Sequence, residues 1–92
     1  MNVDAINRGE QEKISALDEA KWALEAVKAG DWGEVSDNIN QCESKLTGDE
    51  EGDVKHEISE IITEIKKSVD QAPDHLKQMI NDRITSIEGK VS

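Results

Sequence analysis

The chain has 92 residues, a formal net charge of −10, one cysteine, two tryptophans and neither phenylalanine nor tyrosine. That length gives one domain with a thin interior built from Ile, Leu, Val and Ala. The lone thiol excludes an internal disulfide, and the negative balance argues against direct binding to a nucleic-acid backbone or an anionic membrane.

No apolar run is long enough to span a bilayer, and the opening Met1-Asn2-Val3-Asp4-Ala5-Ile6-Asn7-Arg8 lacks the basic-then-apolar order of a signal peptide, so a cytoplasmic location is expected. The acidity is uneven. Residues 1–52 carry thirteen Asp or Glu against five Lys or Arg, a balance of −8, while residues 53–92 carry eight against six, a balance of −2.

Residues 1–8 offer only Val3, Ala5 and Ile6 before Gly9, too little to specify a stable element, and a frayed lead-in is expected there. From Glu10 the spacing predicts a helix over residues 10–29, with Ile14, Leu17, Ala20, Leu24 and Val27 on one face and Ala16 and Ala23 widening it. Acids at its start and Lys28 near its end suit the helix dipole. Trp22 falls off that stripe beside Ala26 and Ala29, where it covers the flank of the bundle or faces a partner.

Ala29-Gly30-Asp31-Trp32-Gly33-Glu34 is the clearest local signal, because Gly30 suits a left-handed helix end and Asp31 suits the cap of the next helix. Helices joined so tightly form an antiparallel hairpin. The second helix, residues 32–46, carries a narrow stripe of Trp32, Val35, Ile39, Cys42 and Leu46, with Asn38 placed among the polar positions around it. Residues 47–53 contain two glycines and four acids and no apolar side chain, so they read as a loop in which Gly48 ends the second helix and Asp53 caps the third.

The third helix, residues 54–71, has Val54, Ile58, Ile61, Ile62, Ile65 and Val69 on one broad face. All six are β-branched and mediocre helix formers, so packing must hold them helical. An arc this wide suits a central helix touching all three others, or one that leaves an edge for a partner. Pro73 then disfavours helix at Ala72 and starts a fourth helix over residues 74–88, striped by Leu76, Met79, Ile80, Ile84 and Ile87, with Val91 as an extension past Gly89. The expected fold is all-α: one domain over residues 1–92, a small antiparallel four-helix bundle made of two helical hairpins.

Signals for chemistry are weak. If Gly52 occupied the glycine position of a calcium loop, the first ligand would be Thr47 and the twelfth Ile58, so the pattern fails at both ends. His56 stands near Asp53 and Glu60, yet no Glu-x-x-His motif of the kind that builds di-iron bundles occurs. Cys42 shares a stripe with Val35, Ile39 and Leu46 and lacks a neighbouring base, which marks core rather than nucleophile. No glycine-rich phosphate loop is present.

These features favour a non-catalytic, cofactor-free module that contacts another protein, or a second copy of itself as a homodimer, through helix faces, with Trp22, Ile62 and Ile65 as contact residues. Two alternatives stand beside it. One is an acidic imitator of nucleic acid that occupies a basic groove, which requires Asp18, Glu19, Glu25, Asp37, Glu43, Asp49, Glu50 and Glu51 to share a surface. The other is a metal-binding bundle using His56 and carboxylates.

Overall fold

A reciprocal cap opens the first helix. Ser15 Oγ accepts from the backbone N–H of Asp18 at 3.2 Å, and the Asp18 carboxylate accepts from the backbone N–H of Ser15 at 3.1 Å. This satisfies donors that the first helical turn otherwise leaves bare. The structure is a computed structural model that describes residues 14–92. The expected lead-in at residues 1–8 lies outside the described residues, and the helix expected over residues 10–29 instead begins at Ala16, because Ser15 caps it and Ile14 is not helical.

Helix α1 runs over Ala16–Ala29 and ends at Gly30, whose φ of 75° is the left-handed conformation that a residue without Cβ adopts at little cost. The Gly30 N–H donates to the Val27 carbonyl and the Asp31 N–H to the Ala26 carbonyl, closing a Schellman motif. Asp31 then serves the next element, since its Oδ1 accepts from the Glu34 N–H at 3.2 Å and caps α2, Trp32–Lys45. The connection is as short as the sequence implies, so α1 and α2 lie antiparallel. Lys45 at the end of α2 reaches Glu19 in the first turn of α1 at 2.7 Å.

The acidic loop closes on itself. The Glu50 carboxylate accepts from the Thr47 N–H, the Thr47 hydroxyl and the Gly48 N–H, all within 3.1 Å. These bonds, the Thr47 backbone bond foremost, hold Glu50 below the usual glutamate range. Gly48 has a φ of 90° inside this loop, while an extended Leu46 ends α2, one step earlier than the glycine suggests.

Helix α3 spans Gly52–Lys66 rather than residues 54–71, with Glu51 at the cap position and Asp53 in the first turn. Beyond it the chain tightens into a 3-10 turn, Val69–Gln71, and Ala72 is extended ahead of Pro73. The change of winding keeps Val69 and Ala72 buried. Helix α4 runs over Asp74–Val91, three residues longer than the stripe alone implies. Val91 is buried and the Lys90 amine lies 3.0 Å from Glu43, which holds the last turn helical through Gly89.

The result is all-α, a small antiparallel four-helix bundle of two hairpins, with no strand among the described residues. Its helices close a ring: α1 packs on α2 and α3, and α4 packs on the same two. Helix α3 is therefore a ring member rather than a central rod. Helices α2 and α4 run in the same direction, since Ser36 meets Met79 and Glu43 meets Ser86, each seven residues further along its own helix. Lys66 meets Glu88 at 3.5 Å, so α3 crosses α4 instead of lying in register beside it.

Isoleucines from three helices fill the ring, Ile39 from α2, Ile58, Ile62 and Ile65 from α3, and Ile80, Ile84 and Ile87 from α4. Helix α1 buries the alanines of the expected face, Ala16, Ala20 and Ala23, more deeply than its leucines. Its buried face is Ala16, Ala20, Ala23 and Ala26, with Leu17, Leu24 and Val27 only partly covered. Small side chains let α2 and α3 approach the α1 axis closely, and the leucines then cover the seams.

Candidate interaction groove

Trp22 lies off the buried face of α1 and stays at the surface. It is 46% exposed, the one large hydrophobic side chain left exposed among the described residues. Ala26 and Ala29 follow it at helical spacing, and the three border an open groove of about 780 Å³ at the turn end of the first hairpin. The opposite wall comes from the turn and α2, through Asp31, Glu34 and Asn38, and Glu25 of α1 completes the rim.

The electrostatics of the groove are one-sided. Lys21 also borders it, but its amine pairs with Glu57 of α3 at 3.7 Å. Glu25 and Glu34 have no cationic partner among the described residues, while Asp31 Oδ1 is occupied by the cap. Asn38 is only 8% exposed and makes no side-chain hydrogen bond to another described residue. No polar side-chain atom among the described residues is both sealed from solvent and unbonded, so the amide opens onto the groove it lines.

Of the three contact residues expected from the sequence, only Trp22 is at a surface. Ile62 and Ile65 are each 0% exposed, which corrects their assignment as an exposed edge. The width of the α3 arc serves two neighbouring helices, α1 and α4, with Val54 and Ile61 partly buried at its edge. Asn38 escaped the sequence reading because it sits among polar positions beside the α2 stripe. The signal for it was the spacing Asp31, Glu34, Asn38, which continues the cap residue along one helix face.

Acids named for nucleic-acid mimicry do not form one free surface. Glu19 is buried against Lys45, Glu43 accepts from Ser86 and Lys90 with Arg83 at 3.8 Å, and Glu50 is folded into its loop. The Lys90 hydrogen bond is the main cause that lowers the Glu43 carboxyl below its ordinary range. His56 lies 3.4 Å from Glu60 with both side chains exposed, and no group of three His, Cys, Asp or Glu side chains placed to hold a metal ion occurs among the described residues.

Cys42 is fully buried, and desolvation, followed by the charges of Glu19, Glu43 and Glu50, pushes its thiol up to about 12. The nucleophilic form is therefore suppressed. A thiol-reactive dye at mildly alkaline pH should leave the folded chain unlabelled and label it on addition of urea. Rapid labelling without denaturant would contradict the buried placement.

No family model matches the chain, and comparison with curated proteins and with solved structures likewise finds no match. No helix among the described residues is long and apolar enough to cross a membrane. The class defined by fold and groove is thus a small acidic helical bundle with one aromatic-rimmed groove.

Proposed function

We propose that this domain is a non-catalytic protein-interaction module that engages another protein through the α1–α2 face around Trp22. The observation that carries the reading is the exposure of that indole on the rim of a groove, while the other large apolar side chains among the described residues are buried or partly buried. Large aromatic side chains beside a cleft are the residues that most often anchor protein contacts. A second copy is the less favoured partner, because a two-fold contact centred on Trp22 brings Glu25, Asp31 and Glu34 of one copy against the same acids of the other.

The test pairs two measurements. Size-exclusion chromatography with light scattering should give a monomer at every concentration, and a concentration-dependent dimer would favour the self-association form. Immobilised chain exposed to extract from its native cell should retain a protein that, once purified, binds the wild type and not Trp22→Ala. Binding that is unchanged by Trp22→Ala would remove this face from the reading.

A further inference from the structure

The groove combines a half-exposed indole, carboxylates that have no cationic partner among the described residues, and a largely buried amide that opens onto the groove and makes no side-chain hydrogen bond to another described residue. Each of these calls for a different property in the occupant. The indole face attracts a flat cation. Glu25 and Glu34 call for positive charge, and Lys21 is drawn towards Glu57 rather than supplying it. The Asn38 amide, on a residue only 8% exposed but open at the groove, offers a directional hydrogen-bonding site to a group that reaches inward.

We infer that the groove takes an arginine-bearing peptide segment of a partner protein, the guanidinium lying over Trp22 and donating to Glu25, Glu34 and the Asn38 amide oxygen. This rests on the interaction reading above and adds the chemistry of the partner. Arginine satisfies all three demands with one group, since its fork is planar, stacks on aromatic faces, donates along two edges and is weakly hydrated. A lysine ammonium is a compact and strongly hydrated charge that meets the carboxylates but not the indole and amide together. An apolar neighbour of that arginine would find Ala26 and Ala29 alongside. The chain's net charge of −10 further draws a basic segment towards it at moderate salt.

The experiment titrates the isotope-labelled full chain with the blocked tetrapeptide Leu-Arg-Arg-Leu at about 0.15 M salt, where diffuse charge attraction is largely screened. The lysine analogue Leu-Lys-Lys-Leu is titrated in parallel. Saturable shifts are expected at the Trp22 indole N–H and the Asn38 side-chain amide, with the Trp32 indole as an internal reference. The lysine peptide should bind about fivefold more weakly, and the exposed double variant Glu25→Gln/Glu34→Gln should weaken the arginine peptide about tenfold. Equal binding of both peptides, shifts spread over acids such as Glu60 and Glu64, or no shift at Trp22 and Asn38 would each overturn the inference. If the tetrapeptide leaves the groove untouched while partner capture still depends on Trp22, the arginine assignment fails and the interaction reading survives. If capture is independent of Trp22, the reading beneath it fails.

Discussion

Ile62→Ala should lower the unfolding free energy by about 3 kcal/mol, whereas Ile61→Ala, one position away, should cost about 1 kcal/mol. Ile62 is 0% exposed and faces the ring interior, so truncation forfeits its transfer free energy and leaves a cavity that the surrounding isoleucines close only in part. Ile61 is partly exposed, packs at the edge of the core, and leaves a gap that water can enter. A domain of this length has a total stability on the order of 5 kcal/mol, so the first change removes more than half of it. Urea unfolding followed by circular dichroism measures both, with the slope against denaturant expected to stay constant. Equal losses for the two variants would mean that α3 is rotated from the orientation described.

Ala20→Leu tests the opposite kind of fit. Leucine is as good a helix former as any residue but alanine, and it adds apolar surface. At an open site it would be neutral or stabilising. Ala20 is 0% exposed, on the alanine face by which α1 meets α2 and α3, so the added carbons must force the helices apart or adopt strained rotamers. The expected loss is about 2 to 3 kcal/mol. Leu24→Ala, on a flank that is only partly buried, should cost about 1 kcal/mol, less than burial of a whole leucine would imply. Thermal and urea melts of the two variants decide the matter. A stabilised Ala20→Leu would show that α1 does not lie close to α2 and α3 at that position, and a loss of about 3 kcal/mol for Leu24→Ala would show that the leucines face inward.

The second variant marks where periodicity stops being informative. Along α1 one broad face holds leucines on one side and alanines on the other, with Ala20 between them, and hydrophobicity ranks the leucines first. Which side faces inward depends on how near the neighbouring axes come, a property of three helices together. Trp22 is outside whichever of the two faces inward, and the groove beside it is bounded by the turn and α2 through Asp31, Glu34 and Asn38. Trp22 was legible as a candidate because it fell off the expected stripe. Its wall across the groove was not, since Asp31 and Glu34 read as capping residues and Asn38 as a solvated one. Ile62 and Ile65 misled for a related reason. A broad apolar arc is the same pattern whether it meets two helices or one helix and a partner, and here it meets α1 and α4.

The ends of elements divide in the same way. Gly30 with Asp31, and Pro73 after Ala72, act through steric limits and side-chain bonds within a few residues, and both boundaries stand where local chemistry put them. The end of α3 at Lys66 and the survival of α4 through Gly89 answer to contacts distant in sequence, Val69 and Ala72 reaching the core and Lys90 reaching Glu43.

The amino-acid order by itself determined the all-α class, the tight first hairpin and the buried thiol, because each follows from backbone sterics, capping bonds or a periodicity with one reading. Only the tertiary structure decided the ring order of the helices, the alanine face of α1 and the groove beside Trp22. Those depend on the distances between packed helices, which side-chain volumes set jointly and no single segment encodes.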